Sequence, residues 1–355
     1  MVQPRIHILW NFVQGPYGGG NQFLRSLRKE LTARGAYAED PMKADGILFN
    51  SFPTDHTLFK RALDIKRRNP SVVLVHRIDG PLSTIRGTDD QSADRGIHEF
   101  AKLLADGCIF QSRWSLNHNI KLGFDAEGIP NIVVLNAPSP TLFNTKDKPS
   151  FRAENPRIIA TSWSSNLRKG FGDYRWIDEN LDFSRYAMSF VGRSVYKFQN
   201  IKTVGPVDQG KLAALLKDHD IYISASRYEA CSNSILEAIH CGLPALCYNG
   251  SSNPETLQGC GLLYERPEEI PGTLETICQD FPSIQQEMAP IPLTTVADRY
   301  LEFFEAILKN GAAPKRPSQK ALRDFLVRYA PAQTGIGAIK RKIKAGFRGV
   351  VESLR

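Results

Sequence analysis

Short apolar runs alternate with helical patterns in this chain, and the whole alternation occurs twice. The first series of predicted strands lies at 6–12, 46–50, 72–76, 107–110 and 132–135, and the second at 157–162, 187–192, 201–204, 221–224, 244–248 and 261–265. Helical patterns of ten to fifteen residues separate most of these runs. Strands that alternate with helices form parallel sheets. The sequence therefore predicts an α/β protein with two Rossmann-like, doubly wound domains that face each other across a cleft.

The break between the two series suggests the domain boundaries. A chain of 355 residues suits about two domains, and the Pro-rich stretch 136–156 has few periodic features. We expect an N-terminal domain over 1–140, a linker over 141–156 and a C-terminal domain over 157–312. The C-terminal domain would end with the helix 295–309, and a basic tail would follow over 313–355.

The positive charge of the chain is concentrated in that tail. The net charge is +8, yet residues 315–355 alone hold 11 basic and 2 acidic side chains. The body is therefore close to neutral, which argues against a nucleic-acid-binding protein. The six cysteines, at 108, 231, 241, 247, 260 and 278, form no C-x-x-C pair and suit neither a disulfide framework nor a zinc site. We expect a cytoplasmic protein without a bound metal or other cofactor.

The stretch 225–255 combines two carboxylates with a helix start. A helix is predicted from Ser232–Ser234 to Cys241, where Gly242 ends it. Its amino terminus would face the carboxyl edge of the sheet and favour an anion. Glu229 precedes this helix and Glu237 lies one turn inside it, so the two carboxylates would reach different parts of one extended ligand. Two alternatives remain open here: Glu237 could close a capping box with Ser234, and Glu229 could be a surface carboxylate.

The same stretch resembles a family signature. R-Y-E-x7-E-A-x-x-C-G-L-P, from Arg227 to Pro244, is similar to the motif of retaining glycosyltransferases of family four, the glycosyl transferases group 1, which have the GT-B fold. The resemblance implies that Glu237 holds the ribose hydroxyls of a nucleotide and that Glu229 lies near the donor sugar. It also implies that the sugar and diphosphate contact the backbone of Cys231, Ser232, Asn233 and Ser234.

Further segments follow the same resemblance. The loop Gly18, Gly19, Gly20 corresponds to a glycine loop that approaches the diphosphate, and Gly205 and Val207 correspond to the loop beside the nucleobase. Lys169 stands where the family has a lysine that neutralises the diphosphate. The usual arginine is replaced by Ser164, as in one branch of the family, and Arg168 is a candidate for the missing charge. The alternative for Lys169 is a solvated lysine at a helix start.

Four residues of the N-terminal half are candidates for the other side of the cleft. His76 is predicted to end a strand, where family members carry a histidine near the donor sugar, although such a histidine is also often structural. We therefore assign His76, Lys169 and Glu229 as catalytic candidates. Arg77, Asp79 and Arg113 are weaker candidates for acceptor contacts.

The resemblance implies transfer of a sugar, with retention at the anomeric carbon, from a nucleotide-sugar donor to a hydroxyl of a glycan or lipid-linked acceptor. Such a reaction would belong to cell-surface polysaccharide synthesis. Two alternatives stay open: a GT-B sugar-nucleotide epimerase, and a nucleotide-sugar-binding protein with reduced catalysis. A dinucleotide oxidoreductase is disfavoured, because the spacing of Gly15, Gly18 and Gly20 does not fit G-x-G-x-x-G.

The tail has its own pattern. Apolar residues recur at spacings of three and four among basic ones, at Ile336, Ile339, Ile343, Phe347, Val350 or Val351, and Leu354. A basic amphipathic helix can lie in an anionic membrane surface, so residues 336–355 predict a peripheral position at the inner face of the membrane. The alternative is a helix that packs on the enzyme itself.

Overall fold

The N-terminal domain is built on a parallel sheet of five strands. A computed structural model describes residues 3–13, 15, 19–50, 56–310 and 314–329. The strands are β1 (Ile6–Leu9), β2 (Gly46–Asn50), β3 (Val73–Ile78), β4 (Gly107–Phe110) and β5 (Asn131–Val133), in that order across the sheet. Tyr37 forms a parallel bridge with Ile6 on the free side of β1. Counting Tyr37 as a rudimentary second strand gives the order 2-1-3-4-5-6, which is the 2-1-3-4-5 order of a doubly wound fold with one strand added, and the direction of winding reverses between β1 and β2.

The C-terminal domain contains a second parallel sheet of six strands. Its order is β11-β10-β9-β6-β7-β8, which is the 3-2-1-4-5-6 order of a dinucleotide-binding fold. The reversal point lies between β6 and β9, which pair through Ile158 with Ile221 and Ile159 with Tyr222. The strands are β6 (Arg157–Ser162), β7 (Ala187–Gly192), β8 (Lys202–Val204), β9 (Ile221–Ser224), β10 (Ala245–Tyr248) and β11 (Gly261–Tyr264). The predicted architecture of two doubly wound domains is confirmed.

Helices cover both faces of each sheet. In the C-terminal domain, one buried cluster joins the sheet to the helices around Tyr174 and Leu274, and another joins it to those around Leu212 and Ile235. The helices of the body are α1 (Gly19–Ala33), α2 (His56–Arg68), α3 (Leu82–Arg86), α4 (Ser92–Leu104), α5 (Arg113–Lys121), α6 (Phe171–Asn180), α7 (Gln209–Lys217), α8 (Asn233–His240), α9 (Asn253–Leu257), α10 (Ile270–Gln279), α11 (Phe281–Glu287) and α12 (Leu293–Lys309).

The last helix of the body does not pack where the sequence predicted. The boundary at 312 assigned α12 to the C-terminal domain, but its buried residues join the core of the N-terminal domain with Ile6, Leu24 and Val73. Two glycines make room for it. A Cβ at Gly46 would collide with the ring of Phe304, and one at Gly107 would collide with Ile307 and Phe303. The chain therefore crosses back to the first sheet before it reaches the tail.

The rest of the chain adds little regular structure. Residues 134–156 contain no helix or strand, as expected of the linker. The segment from Pro317 forms a second compact unit, in which α13 (Gln319–Tyr329) is described. The predicted amphipathic stretch 336–355 lies outside the described residues. Within the described ranges, no helix has the length and apolar character needed to cross a membrane.

Candidate active site

A cavity of about 510 Å³ lies between the two domains, at the carboxyl ends of their strands. In doubly wound sheets this edge is where ligands bind. From the N-terminal domain it is lined by Gly19, Gly20, Gln22, Asp79, Leu82, Ile85, Arg86 and Gln111. From the C-terminal domain it is lined by Trp163, Ser164, Asn166, Arg168, Lys169, Val207, Gln209, Leu212, Tyr228, Glu229, Ala230, Cys231, Ser232, Asn233, Ser234 and Glu237. Most of the predicted donor-site residues are thus brought together.

Glu237 presents a buried carboxylate to this cavity. Its exposed fraction is 7%, and its carboxylate accepts no hydrogen bond from the described residues. Burial raises the pKa of Glu237 to about 8, because a charged carboxylate is poorly solvated there. The capping-box alternative is wrong, since the N-cap residue is Ser232 instead of Ser234 and no side-chain capping hydrogen bond forms there. The carboxylate is therefore available to hydrogen-bond donors of a ligand.

The amino terminus of α8 opens onto the same cavity. Ser232, Asn233 and Ser234 line the cavity, and no side chain caps this end of the helix. The first N–H groups of a helix favour an anion. Cys231 precedes them, and burial raises the pKa of its thiol to about 11, so the thiol stays neutral. This end of the cavity can thus hold an anionic group without a competing negative charge from Cys231.

Lys169 and Glu229 form an ion pair on the donor side. Lys169 Nζ donates to Glu229 Oε1, and the Ser226 hydroxyl donates to the same carboxylate oxygen over 2.7 Å. Asn166 caps the short turn that carries Lys169, through a hydrogen bond from Arg168 N to its Oδ1. Both charged side chains are partly exposed and line the cavity, which disfavours the solvated-lysine alternative.

Arg168 connects the two domains. Its guanidinium lies 4.2 Å from the centre of the Tyr228 ring and donates to Thr84 O, in α3 of the other domain, over 2.5 Å. Gly87 ends α3 with a φ of +70°, and a Cβ there would collide with the guanidinium. Arg168 lines the cavity, and its guanidinium also makes this contact with the other domain.

The glycine loop meets α8 across the cleft. Gly19 begins α1, and a Cβ on it would collide with the amide group of Asn233. Gly20 faces Asp79, whose Oδ1 would lie 3.8 Å from a Cβ. Gly18 lies outside the described residues. The absence of a side chain at Gly19 thus permits close approach of the two domains at the candidate diphosphate position.

His76 does not reach the cavity. The strand β3 continues to Ile78 instead of ending at His76, so His76 lies in mid-strand. Its ring is fully buried, with ring centres 5.0 Å from Phe49 and 5.4 Å from Phe100. Burial lowers the pKa of His76 to about 3. This neutral imidazole in an aromatic core contradicts the expectation that His76 faces the donor sugar.

The three acceptor candidates, Arg77, Asp79 and Arg113, lie in three different places relative to the cavity. Asp79 lines the cavity, whereas Arg77 is fully buried behind it and cannot contact an acceptor directly. Arg113 does not line the cavity. It begins α5, where the backbone N–H groups of Arg113 and Trp114 donate to the Glu255 carboxylate of the other domain, over 2.7 and 2.8 Å.

The remaining predictions have mixed outcomes. Val207 and Ser164 line the cavity, but Gly205 is exposed and not part of its wall. Sequence reasoning missed Gln111 and α3. Gln111 directly follows β4 and so lies at the carboxyl edge of the sheet, and this position could have indicated it. The five residues of α3 are too few for a periodic pattern.

Among the described residues, no group of three or more His, Cys, Asp or Glu side chains could hold a metal ion.

Comparison with known families agrees with this geometry. Residues 187–280, which include α8 and the Glu229 to Glu237 segment, match the family described as glycosyl transferases group 1. The predicted resemblance is thus confirmed, while retention of configuration stays a prediction. Sequence comparison with curated proteins gives no match.

Solved glycosyltransferase structures share the fold of this chain. Sucrose-phosphate synthase from Thermosynechococcus elongatus is 14% identical, with a TM-score of 0.59 over 97% of this chain and 100% of the synthase. HepE from Anabaena in complex with UDP-glucose is 13% identical, with a TM-score of 0.59 over 86% and 99% of the two chains. WaaG, a glycosyltransferase involved in lipopolysaccharide biosynthesis, is 12% identical, with a TM-score of 0.54 over 86% and 99%. The fold is GT-B.

Proposed function

We propose that this protein is a retaining glycosyltransferase that moves a sugar from a nucleoside-diphosphate sugar to a hydroxyl of a glycan or lipid-linked acceptor. The observation that carries the proposal is the Glu237 carboxylate, which is buried, has no hydrogen-bond partner among the described residues and faces the cavity. An unpartnered buried carboxylate is costly for a folded chain. A ribose diol would supply the two O–H donors that it lacks.

The other donor-side residues fit the rest of such a ligand. In the proposed complex the diphosphate lies between the amino terminus of α8 and the Lys169 ammonium, which both stabilise negative charge. Glu229, the partner of Lys169, then lies beside the sugar and can accept hydrogen bonds from its hydroxyls. Ser164 contributes no charge, so Lys169 and the helix terminus carry the neutralisation.

The chemistry we infer depends on positioning and on charge. The acceptor oxygen attacks the anomeric carbon from the face that the diphosphate leaves, and a phosphate oxygen of the leaving group takes the hydroxyl proton. The protein holds the acceptor and the leaving diphosphate on the same face of the sugar and stabilises the departing diphosphate. We expect no metal ion or other cofactor in this reaction, because lysine and helix amides would supply the positive charge.

A panel of nucleotide sugars tests donor binding. HepE is described in complex with UDP-glucose, which makes UDP-glucose the first probe, beside GDP-mannose, ADP-glucose and a CMP-sugar. A donor that binds only the folded protein raises the Tm by mass action. We expect one nucleotide class to raise the Tm and to lose this effect in Glu237→Gln. No shift with any of the four would contradict the proposal.

The reaction itself is tested by nuclear magnetic resonance. Incubation of the bound nucleotide sugar with an acceptor glycan should release nucleoside diphosphate and give a product with the anomeric configuration of the donor. Inversion at the anomeric carbon would contradict retention. Change at C2 of the sugar without transfer would favour the epimerase alternative.

We further propose that the acceptor is a cell-surface glycan or its lipid-linked precursor and that the enzyme works at the cytoplasmic face of a membrane. WaaG, which shares the fold, is described as involved in lipopolysaccharide biosynthesis.

The basic residues of 336–355 support membrane binding, because each basic side chain near an anionic surface contributes about 1 kcal/mol to the binding free energy. The full chain should float with vesicles that contain phosphatidylglycerol, and replacement of Lys340, Arg341, Lys342 and Lys344 by Gln should abolish this. Equal flotation of both proteins would contradict it.

A further inference from the structure

Asp79 presents a carboxylate to the acceptor side of the cavity, and neighbouring side chains fix its orientation. It follows β3 directly, and its side chain is 23% exposed. Oδ1 accepts from Arg77 Nη1 over 2.5 Å and from Gln111 Nε2 over 3.0 Å, while Oδ2 accepts from Asn50 Nδ2 over 2.9 Å. A carboxylate has about four acceptor positions. Three are used by described residues, so one position remains, on Oδ2.

The support behind Asp79 is unusual for a surface carboxylate. Arg77 is fully buried, and its guanidinium also donates to Asn50 Oδ1 over 2.6 Å and to Asn136 Oδ1 over 2.8 Å. The ring of Phe23 lies 4.9 Å from it. Burial of a guanidinium costs solvation energy that an ion pair only partly recovers. Stability alone therefore explains this arrangement poorly, whereas an oriented carboxylate in a binding cavity explains it well.

The same network reaches the donor side of the cleft. Asn136 Nδ2 donates to Gln111 Oε1 and to Asn233 Oδ1, each over 3.0 Å. Asn233 is the first residue of α8 and lines the cavity. Hydrogen bonds thus connect the Asp79 carboxylate, through Gln111 and Asn136, to the helix terminus proposed to hold the diphosphate. The network fixes the distance between the two sides of the cleft.

We infer that Asp79 binds the nucleophilic hydroxyl of the acceptor and that Arg77 is a positioning residue for it. This inference rests on the proposed glycosyltransferase function. The acceptor O–H donates to the remaining position on Oδ2, which aims the acceptor oxygen at the anomeric carbon. As the new carbon–oxygen bond forms and the bond to the diphosphate breaks, the O–H turns from Asp79 to the departing phosphate oxygen, which takes the proton. The acceptor therefore carries a neutral hydroxyl, not a phosphate, at the attacking position.

The test separates donor binding from acceptor use. UDP-glucose is the donor and n-octyl β-glucoside is the probe acceptor, with Asp79→Asn and Asp79→Ala as variants. Asp182→Asn, at an exposed turn, is the matched control. We expect both Asp79 variants to bind UDP-glucose within about twofold of the wild type, and transfer to octyl glucoside to fall about 100-fold. The control should retain wild-type rates.

Arg77→Lys tests the positioning role. Lysine keeps the charge but loses the planar fork that joins Asn50, Asp79 and Asn136. We expect the KM for octyl glucoside to rise about tenfold while the Kd of UDP-glucose and the circular dichroism spectrum stay unchanged. A purely structural role would change the spectrum and the Kd together.

The outcomes distinguish this inference from the function on which it rests. Transfer by Asp79→Ala at more than about a third of the wild-type rate, with an unchanged KM for octyl glucoside, would overturn the role of Asp79 and leave the glycosyltransferase proposal intact. A wild-type protein that binds no nucleotide sugar of the panel would overturn both.

Discussion

Lys169 donates a hydrogen bond to Glu229, so two candidate residues that lie 60 positions apart in the sequence are ion-pair partners at the cavity wall. We predict that Lys169→Ala lowers kcat by about 100-fold, because it removes the ammonium that would stabilise the departing diphosphate. Since both side chains are partly exposed, the free energy of unfolding should change by less than about 1 kcal/mol.

Steady-state kinetics and thermal unfolding of the same preparations check this prediction. Arg175→Ala is the control, because it breaks the exposed ion pair of Arg175 with Glu179 on α6, away from the cavity. Near-complete turnover by Lys169→Ala would show that the lysine has no phosphate role.

Gly19 is predicted to matter more for transfer than for donor binding. A valine side chain there would collide with the amide group of Asn233 and hold the two sides of the cleft apart. We expect the transfer rate of Gly19→Val to fall at least about tenfold, with a smaller change in the Kd of UDP-glucose. Gly172→Val, which meets no neighbour within 4 Å, is the control in assays of both quantities. Equal losses of binding and transfer would count against this explanation.

Arg168 is predicted to hold the domains together, not to bind phosphate. Arg168→Ala removes the hydrogen bond to Thr84 O and the stacking on Tyr228. Hydrogen exchange measured by mass spectrometry should therefore show faster exchange for the amides of Ile85 and Gly87 in and after α3. Arg175→Ala should leave this exchange unchanged. Wild-type protection in Arg168→Ala, combined with a loss of donor affinity, would favour the phosphate role instead.

His76 is predicted to affect acid stability and not catalysis. Its pKa is lowered to about 3 in the folded protein, while an unfolded histidine titrates near 6.5. The unfolded state therefore binds the extra proton between these values, and stability contributed by the neutral ring is lost as the pH falls below 6.5. His76→Leu should reduce the slope of unfolding free energy against pH by up to about 1.4 kcal/mol per pH unit in this window.

Chemical denaturation from pH 4 to pH 7 measures that slope, and transfer assays at pH 7.5 supply the second readout. Transfer by His76→Leu should remain within about threefold of the wild type. A loss of about 100-fold, with intact folding, would restore the catalytic role that the strand position first suggested.

The bounds of a strand could be predicted where neighbouring residues in the sequence mark both of its ends. The strands 46–50, 107–110, 157–162, 187–192 and 221–224 have the predicted bounds, because polar residues or turns limit each apolar run. The helix 295–309 was also predicted, but the sheet on which it packs was not. Amphipathic periodicity shows that a helix buries one face and does not show which sheet receives it. Gly46 and Gly107 leave room for the side chains of α12, but no sequence pattern around them predicted this contact.

The donor site was predictable because most of its residues lie in one contiguous stretch. Cys231, Ser232, Asn233, Ser234 and Glu237 share one loop and one helix turn, so local geometry brings them together. The acceptor side is assembled from residues at the ends of four strands, Asn50, Asp79, Gln111 and Asn136, and was only partly predicted.

The error at His76 has a simple physical origin. Alternate residues of a strand face opposite sides of the sheet, so His76 faces Phe100 and Arg77 faces Phe23. Because β3 continues to Ile78, Asp79 and not His76 stands at the strand end beside the cavity.

The central claim is that Glu237 holds the ribose of the donor, and calorimetric titration of UDP-glucose against pH tests it most directly. The pKa of Glu237 is about 8 in this protein, and hydroxyl donors favour the ionised form. Donor binding below pH 8 must therefore release a proton, so affinity should rise up to about tenfold per pH unit from pH 6 and level off above pH 8. Glu237→Gln should bind about 10–100-fold more weakly at pH 8, with no such dependence. Wild-type affinity in Glu237→Gln at pH 8 would contradict the claim.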